Sequence, residues 1–95
     1  MTMHNPSHPG PIIKEAIDAL GMTVGDFAAH IGVSRTMLSR ILNEKAGVTA
    51  DMSLRISEAF GQGSSDVWFR VQNKYDFWRA SQVVREKVKA LNQAA

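Results

Sequence analysis

The sequence predicts an all-α domain of five or six helices. Three observations carry that prediction. Apolar residues recur at intervals of three and four along most of the chain, short polar residues suited to helix N-caps precede those runs, and glycines follow them. No stretch alternates apolar and polar residues as a half-buried strand would, and no internal repeat or low-complexity tract breaks the pattern.

The chain opens with an arm, residues 1–10, rich in Pro, His, Asn and Ser, which reads as extended or turn-like. Pro11 suits the first turn of a helix, where a missing N–H costs nothing. Ile12, Ile13, Ala16, Ile17 and Leu20 then mark a first helical stripe, stopped by Gly21. Thr23 caps a second helix, with Asp26 three residues on and Val24, Phe27, Ala28 and Ile31 as its stripe, and Gly32 ends it. Ser34 caps a third helix whose apolar residues are Met37, Leu38, Ile41 and Leu42. A loop from Glu44 to Val48 follows. Thr49 caps a fourth helix with Met52, Ile56, Ala59 and Phe60 on one face, closed by Gly61. Ser65 and Asp66 open a fifth, running into Tyr75–Ala80. A last segment, Ser81–Asn92, carries Val84, Val88 and Leu91 and either continues that helix or forms another. The expected organisation is an arm (1–10), a helical domain (11–80) and a C-terminal helical extension (81–95).

At 95 residues the chain is one small domain, and its 44% hydrophobic and 21% charged residues are ordinary for a globular fold. A net charge of +2 is too near balance to name a partner. With no cysteine there are no disulfides, thiolate ligands or thiol nucleophile. No apolar run reaches the ~18 residues of a membrane span, and the first ten residues lack the features of a signal peptide, so a cytoplasmic protein without membrane contact is expected. His4 and His8, four apart on a Pro-rich arm with no acidic neighbour, are too few for a metal site, and the lone His30 suits the C-terminal end of a helix dipole. Asp18 and Glu58 read as solvated helix charges. No nucleophile–base arrangement, P-loop or dinucleotide fingerprint is present, so neither an enzyme nor a cofactor is expected.

The stretch from Thr23 to Asn43 carries the functional signal. Two short capped helices meet at Ile31-Gly32-Val33-Ser34, with Ala28 small at the crossing and Val33 able to plug the angle. Such a helix-turn-helix can place its second helix in a DNA major groove. The polar face of that helix holds Arg35, Thr36, Ser39 and Arg40. The arginines can bond guanine edges bidentately, Thr36 offers a methyl and a hydroxyl, and Ser39 permits close approach. Thr23, Ser34, Asn43 and Lys45, at helix ends and in the loop, can meet phosphates. By spacing alone the same pattern also fits a solvated face on an α-protein that never meets DNA.

Residues 21–61, GMTVGDFAAHIGVSRTMLSRILNEKAGVTADMSLRISEAFG, resemble the Cro/C1-type (XRE) helix-turn-helix family. The resemblance implies base reading by Arg35, Thr36, Ser39 and Arg40 and backbone contact by Thr23, Ser34, Asn43 and Lys45. Two positions depart from the pattern: Val24 stands where many members carry a polar phosphate contact, and Glu44 stands where Gly is frequent. A narrower resemblance, to HigA-type antitoxins, rests on NPSHPGPIIKEAI, on GVSRTMLSRILN with GVTADMSLRISEAFG, and on VWFRVQNKYDFWRA. It implies a homodimer that binds double-stranded palindromic operator DNA, represses its own operon and neutralises a HigB-type ribonuclease toxin. A solitary regulator without a toxin, or an adaptor that has lost DNA binding, are the alternatives.

The fifth helix is unusually aromatic. Trp68, Val71, Tyr75 and Trp78 fall at intervals of three and four and suit a core-sealing stripe, while Phe69 and Phe77 lie off it. Either the small core needs them all, or the surplus covers a partner, together with Val84 and Val88 of the tail. Charge divides in a similar way. Residues 1–63 hold five Lys/Arg against six Asp/Glu, whereas 64–95 hold six against three, with Arg79, Arg85, Lys87 and Lys89 clustered. Within the first part, Ser34–Lys45 carries three positive charges and one negative.

Overall fold

Four side chains decide where the first four helices begin. In a computed structural model, which describes residues 5–91, the helices are α1 (Pro9–Ala19), α2 (Val24–Ile31), α3 (Arg35–Leu42), α4 (Ala50–Ala59) and α5 (Val67–Gln82). Thr23, Ser34 and Thr49 each turn a hydroxyl oxygen onto the backbone N–H three residues ahead, at 3.0, 3.0 and 3.2 Å. Each bond satisfies a donor that the first helical turn leaves unpaired. For α1 the cap is His8, whose Nδ1 accepts from the Gly10 N–H at 2.9 Å. The helix therefore starts at Pro9, two residues earlier than proline placement alone suggested. The arm's last two residues are helical and buried. Gly10 allows this: a Cβ there would collide with the Ile41 carbonyl, so α1 lies directly against the end of α3.

Between α2 and α3, Gly32 takes φ 78°, a conformation in which a Cβ would crowd the following peptide. The Val33 N–H returns to Ala28 O at 3.0 Å and the Gly32 N–H to Ala29 O at 3.2 Å, closing α2 and starting the turn. Val33 packs against the core, as the sequence led one to expect.

The core gathers Ile13 and Ile17 of α1, Phe27, Ala28 and Ile31 of α2, Leu38, Ile41 and Leu42 of α3, Val48, Met52 and Ile56, and Trp68 of α5. Fully burying one such large side chain contributes about 1.5–3 kcal/mol. Phe60 bridges Phe27 and Trp68, with ring centroids 5.2 and 6.3 Å away. Where α5 crosses α4, two fully buried serines replace larger side chains. Ser53 Oγ donates to Ser65 O at 2.7 Å and accepts from the Phe69 N–H at 3.2 Å. Ahead of α5, a hydrogen bond from Ser64 and the nearby Arg70 guanidinium hold the exposed Asp66 carboxyl below the usual range.

Several expectations are corrected. Ile12 and Leu20 are exposed, because α1 buries a narrow face centred on Ile13 and Ile17. Met37, read as apolar-stripe, is 45% exposed, because the buried face of α3 is Leu38, Ile41 and Leu42. The α5 stripe is rotated: its buried residues are Trp68 and Gln72, with Val71, Tyr75 and Trp78 only half-buried. Helix continues past Ala80 only as far as Gln82. From Val83 to Ala90 the chain has no regular structure, and Val84, Val88 and Leu91 are exposed. Consecutive β-branched Val83 and Val84 disfavour helix, and a short stripe with nothing to pack on cannot sustain one. Asn92 and the rest of the expected extension lie outside the described residues.

Candidate nucleic-acid interface

α3 turns its inner face to the core and its outer face to solvent. Arg35, Thr36, Met37 and Arg40 are exposed there, with Ser39 half-buried between them. The four residues expected to read bases thus share one helix face, Arg35 above Ser39 and Thr36 above Arg40 at helical i,i+4 spacing. Arg35 lies across the first turn of α2: a Cβ at Gly25 would stand 3.5 Å from Arg35 Cδ.

The residues expected to meet phosphates ring this face. Thr23 and Ser34 are exposed at the starts of α2 and α3, and each uses its oxygen as cap acceptor, leaving the O–H free to donate. Asn43, at the end of α3, is exposed, with its amide held along the helix, Nδ2 donating to Ser39 O at 2.9 Å and to Ser39 Oγ at 3.2 Å. Lys45 follows on an exposed loop, its carbonyl accepting from Arg40 Nη2 at 3.2 Å. That bond takes one of the five donors of the guanidinium.

Electrostatics separates these cations from the rest of the helix-turn-helix part. Lys14 pairs with Asp18 at 3.0 Å and Arg55 with Asp51 at 2.8 Å. Among the described residues up to 63, Arg35, Arg40 and Lys45 are the cations with no acidic side chain within 4 Å. Their charge is available to an anion.

The candidate partner residues fall into different places. Trp68 is buried, its Nε1 donating to Gln62 Oε1 at 2.8 Å, so little of its ring faces outward. Phe69 is half-buried. Tyr75 meets the His8 ring edge-on at 5.1 Å. Phe77 and Trp78, with Val67 and Val71, line an open groove of about 740 Å³ on the outside of α5, and Phe77 is 77% exposed. Val84 and Val88 are exposed beyond the helix.

Two buried polar residues, His8 and Gln72, escaped the sequence reading. Hydropathy patterns do not mark a polar side chain whose partners are distant backbone groups. His8, considered there only as a metal ligand, has the Gly10 N–H and Ala46 O as partners. His4 lies outside the described residues. His30 stands in the last turn of α2, as expected. Among the described residues no three His, Cys, Asp or Glu side chains group as a metal site, and no helix is long and apolar enough to cross a membrane.

This geometry has a family. The family described as Helix-turn-helix (HTH_3) matches residues 13–68, more than half of the chain. The chain belongs to the Cro/C1-type (XRE) helix-turn-helix family. Virulence-associated protein A' of Dichelobacter nodosus is 37% identical to this helix-turn-helix protein over 91 residues, which cover 96% of this chain and 79% of that protein. Among solved structures, an addiction module antidote protein of a HigA family from Coxiella burnetii superposes with a TM-score of 0.75 at 28% identity, covering 87% of this chain and all of the other. The Pseudomonas aeruginosa antitoxin HigA, solved with the higBA promoter, superposes with a TM-score of 0.74 at 29% identity, covering 79% and 82%. The helix-turn-helix family to which the chain belongs is one of DNA-binding transcription regulators and antitoxins, and it is non-enzymatic.

Proposed function

We propose that this protein is an operator-binding repressor of the HigA type. Two copies of α3 enter successive major grooves, roughly 34 Å apart, on a palindromic site in its own promoter. Clustering carries this reading: Arg35, Arg40 and Lys45, which among the described residues up to 63 are the cations with no acidic side chain within 4 Å, all lie on α3 and the loop that follows it. The likeness to an antitoxin solved with its promoter supports it. Arg35, Thr36, Ser39 and Arg40 read base edges, while Thr23, Ser34 and Lys45 hold the backbone. Asn43 assists by fixing Ser39.

The second copy docks through the α5 groove, where exposed Phe77 and half-buried Trp78 line an apolar surface with Val67 and Val71. Exposed aromatics in an apolar groove are typical of the buried centre of an interface. The physiological role is to neutralise a HigB-type ribonuclease toxin encoded beside it.

The test is titration of a duplex carrying the chain's own promoter at fixed salt. Arg35→Ala and Arg40→Ala are each expected to weaken binding by about 1–3 kcal/mol, roughly 5- to 150-fold, and to relax sequence choice. Unchanged affinity in both variants overturns the base-reading assignment. Co-expression with the neighbouring gene tests the toxin. Relief of growth arrest and an isolated complex are expected, and arrest without relief refutes that role.

A further inference from the structure

We infer that His8 and Gln72 are positioning residues for DNA contact, acting through the loop that carries Lys45. The inference rests on the proposed phosphate contact of Lys45.

The loop leaves α3 in an unusual conformation. Glu44 has φ 62°, left-handed and disfavoured for a residue with a side chain. The N–H groups of Lys45 and Ala46 both turn back onto Arg40 O, at 2.7 and 3.2 Å. A conformation of this kind persists only where its surroundings hold it. Two side chains from distant parts of the chain do so. The Gly10 N–H can only donate, so His8 Nδ1 is the accepting nitrogen and Nε2 carries the proton, which it gives to Ala46 O at 3.1 Å. The Val48 N–H likewise fixes the amide of Gln72: Oε1 accepts from it at 2.9 Å, and Nε2 donates to Asp76 at 2.9 Å. Both side chains are buried, 5% and 4% exposed, so neither clamp can be replaced by water without opening the fold. Gly47 lies flat on the Gln72 amide, where a Cβ would come within 3.2 Å of Cδ.

The clamps are also joined to each other. Tyr75, one helical turn beyond Gln72, meets the His8 ring. Lys45 therefore stands on a backbone held one residue later by α1's cap and three residues later by α5. A flexible lysine on a free loop loses conformational freedom when it binds a phosphate. On a clamped loop its backbone share of that loss has already been met in folding.

A double-substitution cycle separates positioning from simple stabilisation. Operator affinity is measured against salt for the unaltered chain, Lys45→Ala, Gln72→Leu and the pair, at a temperature where circular dichroism finds each folded. In the unaltered background Lys45→Ala lowers the slope of log affinity against log salt by about 0.9, the loss of one phosphate contact. With Gln72→Leu already present, Lys45→Ala is expected to change slope and affinity far less. His8→Phe, which keeps the ring against Tyr75 but removes both nitrogens, gives the same result through the other clamp and serves where Gln72→Leu does not fold. The charge-neutral pair Gln72→Glu with Asp76→Asn keeps an acceptor for Val48 and is expected to restore the full Lys45 effect. Additive losses, with Lys45→Ala equally costly in every background, overturn the positioning role and leave the phosphate contact standing. A silent Lys45→Ala in the unaltered chain overturns both.

Discussion

Arg55 of α4 donates from Nη1 to the carbonyl of Ile31, the last residue of α2, at 2.7 Å, while its Nε meets Asp51 at 2.8 Å. The bond places a cation at the negative end of α2, just before the turn that launches α3. Arg55→Met keeps much of the aliphatic stem but leaves that carbonyl without its partner. Such a change is expected to destabilise the fold by about 1–3 kcal/mol in urea titration, with the m-value unchanged. Asp51→Ala removes only an exposed ion pair and is expected to cost well under about 1 kcal/mol.

Ser34 contributes twice, as the cap of α3 and as a donor at the edge of the proposed DNA face. Ser34→Ala is expected to lose about 1 kcal/mol of stability in thermal melting, and Ser34→Gly only a few tenths. If the free O–H meets a phosphate, both variants lose operator affinity to a similar degree although their stabilities differ. Affinity that instead tracks stability removes Ser34 from the interface.

Arg40 and Lys45 are joined by a hydrogen bond yet are expected to fail differently. Arg40→Ala lowers affinity for the operator more than for unrelated duplex. Lys45→Ala lowers both alike and flattens the salt dependence. Competition titrations with specific and non-specific DNA at two salt concentrations check the distinction.

Phe77 is the most exposed aromatic of α5, so a charge there disturbs no core packing. Phe77→Glu is expected to leave melting of the monomer within about 0.5 kcal/mol and to abolish self-association at micromolar concentration in sedimentation equilibrium. If the unaltered chain already sediments as a monomer, the dimeric reading of the α5 groove fails.

Ending the chain after Gln82 removes Val84, Val88 and Leu91, which touch little in the described structure. Denaturant unfolding is expected to shift by no more than about 0.5 kcal/mol. A larger loss would place the tail against the fold.

The N-terminal caps of α2, α3 and α4 were readable in the chain, whereas that of α1 was not. Thr23, Ser34 and Thr49 cap where their spacing placed them, and Gly32 makes the turn between α2 and α3, because these are local effects of a few neighbouring peptides. The face of α3 bearing Arg35, Thr36, Ser39 and Arg40 follows from the same period, since Leu38, Ile41 and Leu42 must turn inward. Met37 was misplaced because it borders both faces, and helix periodicity does not say how wide the buried stripe is.

The sequence by itself determined the all-α class, the helix-turn-helix and the family, all encoded in contacts within a few residues or in short motifs. Only the tertiary structure decided which α5 residues enter the core, that the tail beyond Gln82 carries no helix, and that His8 and Gln72 clamp the loop behind α3. His8 and Ala46 are 38 positions apart, and Gln72 and Val48 are 24 apart. A buried polar side chain is stable only where a particular distant backbone group satisfies it, and no local pattern announces that group. The rotation of α5 likewise depends on small Ser53 and Ser57 receiving its first turn, a fit made by two helices together.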